Sequence, residues 1–237
     1  MEWDLGLWCG ETLMAFPLQA TQNTASQGAS TTFSLSLPAF GSPVTSGNTV
    51  AVSYAFNTGG GTLSTSVTDD KSNVYTIGPT SLGVNDPFTG ANLVTAYCRN
   101  ITNAPTIITI TAGGTVSAGI FIGGAAYEVP GPVTVDVNTS AVQASNTAIN
   151  VPFTTSTAGE YVIGSVGSAS GLTITSQNNG WVTEQGDAGI GSYQIYATLA
   201  SAGSNSWQAS SSPATHIAIA LLSFFPSGTS ASVAWLT

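Results

Sequence analysis

Charge is nearly missing from this sequence. Lys71 and Arg99 are its two fixed cations in 237 residues, and eleven acidic residues bring the net charge to −9. Asp, Glu, Lys and Arg make up 5% of the chain, against about 25% in an ordinary soluble domain. Nucleic-acid binding rests on several Lys or Arg contacts to phosphate, so no nucleic-acid partner is expected. An anionic membrane surface is not expected as a partner on the same ground. Histidine is represented by His216 and cysteine by Cys9 and Cys98. A metal hydrolase needs clustered His, Cys and carboxylate ligands, so neither a metal nor any other cofactor is expected. A Ser-His-Asp triad would have to use His216, and no G-x-S-x-G elbow accompanies it. The two cysteines could pair or stand as buried thiols. Their number makes no disulfide framework, so free thiols are favoured.

Long apolar runs are missing too. The longest is "AGIFIGGAAYEVPGPV", Ala118 to Val133, well short of the about 20 residues of a spanning helix. Gly123 and Gly124 argue against any helix there, and Glu128, Pro130 and Pro132 close the run. No membrane insertion is expected; a central strand buried on both faces is. "MEWDLGLWCGETL" at the start has acidic residues, no basic region and no apolar core of signal-peptide length. The expectation is release by another route, such as lysis, or a signal removed or replaced.

What is present is alternation. Phe33, Leu35 and Leu37, then Val50, Val52, Tyr54 and Phe56, alternate with small polar residues. Turn signals such as Gly59-Gly60-Gly61, Asn85-Asp86-Pro87 and Asn178-Asn179-Gly180 separate such runs. Short alternating strands at this spacing predict an all-β, antiparallel β-sandwich, either jelly-roll or immunoglobulin-like. A faint repeat runs through it. "GNTVAVSYAF" is echoed by "GEYVIGSVGS", "NLVTAYCRN" by "SYQIYATLA", and "AGIFIGGAAYEVPG" by "HIAIALLSFFPSG", in the same order. The predicted organisation is an arm over 1–13, a first sandwich unit over 14–131 and a second over 132–237, with one merged sandwich as the alternative.

Several stretches resemble a group of Ser/Thr/Gly-rich, low-charge β-sandwich proteins of phage virions and bacterial surfaces. They are the glycine-led apolar strand Gly47–Tyr54, the "V-T-D-x-x-x-N-x-Y" turn from Val67 to Tyr75, and the strand end from Tyr97 to Ile101. The alternating strand Thr106–Thr111 and the apolar strand Ala125–Glu128 complete the set. The resemblance implies an immunoglobulin-like or jelly-roll sandwich on a virion or cell surface. It brings no catalytic residue.

Two carboxylates about 5–10 Å apart would suffice for a glycosidase, and Glu128, Asp136, Glu160, Glu184 and Asp187 are available. Glu160, Glu184 and Asp187 read as solvated loop acids, and Glu128 as a strand-end residue turned to solvent. "TDDKSNVYT" supplies hard oxygens but lacks calcium-loop spacing and holds Lys71, so an Asx-type turn is expected. No residue is assigned a catalytic role, and the chain is not expected to be an enzyme. The expectation is a structural protein of a virion or extracellular assembly: a decoration, fibre or coat subunit, homo-oligomeric or packed on other assembly proteins. Trp3, Leu5, Leu7 and Trp8 are the candidate interface anchors in the arm. The alternative is a carbohydrate-binding or host-attachment module. Its candidate contacts are Trp181, Tyr193, Tyr196 and Trp207, with Trp181, after the turn, the best placed for exposure.

Overall fold

The structure is a computed structural model. It describes residues 16–27, 32–57, 63–77, 91–114, 120–168, 173–178, 180–187 and 192–227. Every regular element among them is a strand. The first eight are β1 (Ala20–Gln27), β2 (Thr32–Ser36), β3 (Thr49–Asn57), β4 (Leu63–Asp69), β5 (Thr76–Ile77), β6 (Ala91–Cys98), β7 (Ile108–Gly114) and β8 (Ile120–Val129). They form two antiparallel sheets, in the orders β1-β8-β3-β6-β5 and β2-β7-β4. β1 pairs with β8, β2 with β7 and β3 with β6, so the chain is a ribbon paired outermost-to-outermost and rolled up. That is the jelly-roll form of the sandwich. Alternation aims Val52, Tyr54 and Ile122 from one sheet at Leu35, Ile108 and Ile110 from the other.

Six strands follow: β9 (Val133–Thr155), β10 (Glu160–Ser168), β11 (Thr173–Gln177), β12 (Trp181–Asp187), β13 (Ser192–Leu199) and β14 (Gly203–Pro226). β9 and β14 are 23 and 24 residues long and pair with each other along their length. Strands usually run 3–10 residues, so these two must bend to stay within one domain. Their register breaks between Ser210 and Thr215 and again before Ile217, as at a bulge that turns a strand. Before the break β14 pairs with β11; after it, with β10. One layer therefore reads β9-β14-β11 and the other β9-β14-β10-β13-β12. These orders match those of the first half, with β9 in the place of both β1 and β2 and β14 in the place of both β7 and β8. The sequence echoes noted above fall on β3 and β10, β6 and β13, and β8 and β14. Val162, Ile195 and Leu221 pack against Val151 and Trp207 between the two layers.

The larger sheets of the two jelly rolls face each other. Tyr127 and Val129 meet Tyr161, Ile163, Leu222 and Phe224, and beside them Ala55 and Leu93 meet Ala218 and Ala220. Four sheet layers result. The two inner ones are covered on both faces, so every residue of β10 and every residue from Ile122 to Pro130 is buried. Both apolar runs are thus central strands. Close approach explains a glycine in each inner sheet. A Cβ at Gly124 would collide with Ile110 Cδ1, and one at Gly164 would lie 2.7 Å from Leu221 Cδ2. Between the halves, Gly131 turns at φ +70. Its N–H donates to Asn48 Oδ1 at 2.8 Å, and Pro132 O accepts from Ser227 N at 2.8 Å.

Candidate functional site

The acidic side chains come first, because an enzyme of this composition would depend on them. Glu128 is 2% exposed, which corrects the expectation that it turns to solvent. Its Oε1 accepts from Thr45 N at 2.8 Å and Asn48 Nδ2 at 2.6 Å, and its Oε2 from Gln19 Nε2 at 2.6 Å. Those donors lie 80 and more residues away in the chain, so the carboxylate ties three segments together. Glu160 is also no loop acid: it opens β10 fully buried. Thr157 N donates to its Oε1 at 2.9 Å and Ser223 Oγ to its Oε2 at 2.7 Å. Burial pushes the Glu160 carboxyl above its ordinary range against those donors, and the neighbouring Asp136 carboxyl pushes the same way. Glu184 is half-buried on β12, and desolvation raises it as well. The side chains of Asp187 and His216 lie outside the described residues.

The Asp69–Tyr75 segment is an Asx-type turn. Asp69 Oδ1 accepts from Lys71 N and Asn73 N at 2.9 and 3.0 Å, and its Oδ2 from Asn73 Nδ2 and the Tyr75 hydroxyl. Asp70 caps the next loop, accepting from Thr106 N at 2.9 Å and Ile107 N at 3.1 Å. Burial works to raise the Asp70 carboxyl. The two amide donors, Lys71 and the Thr106 hydroxyl outweigh it and hold Asp70 down at about 2. Cys98 is a buried free thiol, pushed up by burial.

The aromatic candidates for a sugar platform are used up inside the protein. Trp207 is 0% and Trp181 6% exposed, so the turn before Trp181 does not lift it into solvent. Trp181 stands edge-on to Phe153, with centroids 6.1 Å apart, and Trp207 Nε1 donates to Gln177 Oε1 at 3.4 Å. Tyr193 faces the same core. Tyr196 lies half-buried between the jelly rolls, edge-on to Phe16 and Tyr127 at 5.6 Å each. The physical reason is period two on doubly covered strands: Trp181, Tyr193 and Trp207 point into the second core, and Tyr196, three residues after Tyr193, points from the opposite face into the seam. Trp3, Leu5, Leu7 and Trp8, and the whole 1–13 arm, lie outside the described residues.

Two uncharged surface features take their place. On the outer face of β2-β7-β4, side chains register in rows: Ser34, Thr111, Ser66 and Ser36, Thr109, Thr68. Ser34 and Thr111 hydroxyls are 2.9 Å apart, and those of Ser36 and Thr109 3.3 Å. The second feature lies at the opposite end of the layer stack, on β9-β14-β11, and reaches over that layer's edge to Trp181 and residues 198–200. Two adjoining depressions of about 470 and 660 Å³ share Asn150, Asn178 and Gln208. Asn178 is locked onto β14: its N–H reaches Gln208 O, its Oδ1 accepts from Gln208 N, and its Nδ2 donates to Ser206 O, each at 2.9 Å. Gln208 Nε2 in turn donates to Asn150 Oδ1 at 3.4 Å. Sequence reading passed over both features because they are built from the polar half of each alternation, which looks the same on every strand.

No protein-family model matches the chain, and no curated protein matches it either.

Proposed function

We propose that the chain is a non-enzymatic structural subunit of a virion or extracellular assembly, working through sheet-face packing. The observation that carries this reading is the hydroxyl grid on the outer face of β2-β7-β4. It holds no charge, so packing on it desolvates no ion, which is the costly step in burying a polar surface. Each hydroxyl can donate and accept, so two such faces satisfy one another without a unique register. The chain already packs Ser- and Ala-rich sheet faces against each other where its jelly rolls meet. Strand spacing and rise make the grid roughly 10 by 7 Å, far below the about 800 Å² per partner of a standard stable interface. A single contact is therefore weak. Repetition in a lattice or fibre, where linked contacts add, is the setting in which it holds.

Light scattering and negative-stain electron microscopy on the purified protein test this. The expected result is concentration-dependent ordered oligomers, lost in Thr111→Arg, which puts a cation in the middle of the grid. A wild-type protein that stays monomeric at every concentration, or a folded Thr111→Arg variant that assembles as before, would overturn it.

A further inference from the structure

The two depressions on β9-β14-β11 have a chemistry of their own. No residue lining either is charged, which argues against phosphates, metal ions and acidic peptides as occupants. Their shared wall is the cross-strand pair Asn150 and Gln208. A carboxamide presents an acceptor and a donor side by side, the pattern that two neighbouring hydroxyls of a sugar ring require. Gln208 Oε1 has no partner among the described residues, while its backbone is held on both sides of the peptide by Asn178. The amide therefore stands on a fixed strand, and ordering it on binding costs little. Apolar surface lies beside it, from Ala148 in one depression and Pro152 and Leu199 in the other, suited to the C–H face of a pyranose. Both volumes fall within the about 300–1,000 Å³ of small-molecule sites.

We propose that this groove binds an uncharged oligosaccharide that lies across the Asn150–Gln208 pair with one sugar in each depression. Anionic glycans are disfavoured by the net charge of −9. The site is independent of the hydroxyl grid, which sits on the other outermost layer.

The test is NMR chemical-shift mapping of the isotope-labelled protein with neutral tetrasaccharides of gluco, xylo, manno, galacto and N-acetylglucosamine type, and with sialyllactose and a heparin fragment. The expected result is saturable shifts for at least one neutral sugar at Asn150, Asn178, Gln208 and the Trp181 indole, with weaker or no shifts for the anionic ones. The double variant Asn150→Ala/Gln208→Ala should weaken binding about tenfold or more, a loss of roughly one and a half kcal/mol or greater. Ser204→Trp, an exposed position that fills the second depression, should abolish it without touching the amide pair. Thr111→Arg should bind as wild type, so failure here and failure of the assembly reading are separately visible. The proposal falls if no neutral sugar shifts these residues, if the shifts map elsewhere, or if both groove variants fold and bind unchanged.

Discussion

The contact between the two jelly rolls and the contacts inside them are all sheets packed face to face, yet they are made of different side chains. Inside, the layers meet through large apolar groups, and the few polar atoms find partners, as the Tyr54 hydroxyl does with Thr65 at 2.8 Å. At the seam, Phe16, Tyr127, Tyr161 and Tyr196 cluster at one end, with Phe16 and Tyr161 4.9 Å apart. The other end is lined by small and hydroxyl-bearing residues. Ser53 stands opposite Thr95 in one sheet and Ser165 opposite Gln194 in the other. Among the described residues, Ser53 Oγ, Thr95 Oγ1, Ser165 Oγ and Gln194 Oε1 are buried with no hydrogen-bond partner, as are Thr49 Oγ1 and the Tyr127 hydroxyl. The Ser53 and Tyr127 hydroxyls lie near each other without hydrogen-bond geometry. Gln194 Nε2 reaches across the seam to Gly123 O, a weak hydrogen bond of 3.4 Å. The lesson is that one end of the seam is an apolar and aromatic core like those inside the jelly rolls, while the other has the small, hydroxyl-rich composition of an outer sheet face. The seam's stability comes from tight packing of small residues and the aromatic end, not from its polar groups.

Removing a large core side chain is the strongest way to break this comparison. Trp207→Ala should cost about 3–5 kcal/mol, the range for emptying a buried aromatic site, read from the urea midpoint at unchanged slope. A cost below about 1 kcal/mol would mean that the second core is not what holds its layers.

The pH dependence of Glu160 sharpens the same contrast, because its carboxyl is buried at the end of β10. Its folded pKa lies above the unfolded value of about 4.3. Its contribution is therefore fully present below that value and is lost as pH rises through the folded pKa. Glu160→Gln should flatten the fall in stability over that window. Urea midpoints measured from pH 4 to 8 for both proteins check it; parallel curves would show that Glu160 does not titrate in the fold. The smallest effect belongs to the seam hydroxyls. Ser53→Ala and Ser165→Ala remove groups that have no partner to lose, so each should change stability by less than about 1 kcal/mol, in either direction. A larger loss in thermal or urea unfolding would show that these oxygens are hydrogen-bonded in solution.

The strands and their doubly covered centre were legible, because alternation and the two apolar runs report burial directly. The extent of β9 and β14 was not. "QASSSPATH", Gln208 to His216, contains Pro213 and a serine run, and the apolar stretch that echoes "AGIFIGGAAYEVPG" begins only at His216, while the structure carries one strand through the whole stretch and places the register break there. Glu128 and Glu160 were misjudged for another reason. The donors that make their burial tolerable come partly from distant segments, Gln19 and Asn48 for one and Ser223 for the other, and sequence spacing does not reveal such meetings. Trp181 and Trp207 were candidates because sugar sites use aromatics, but the same alternation that marks their strands puts them inward. The hydroxyl rows and the amide groove depend on cross-strand register, which the turns alone left open.

β9 and β14 each run unbroken between the inner and the outer layer of the second jelly roll. Mechanically they act as rails shared by both layers. Tension along either is carried by a long row of antiparallel hydrogen bonds spanning the two layers, which must shear together. If the chain is pulled within an assembly, the two layers of this half are therefore loaded as one.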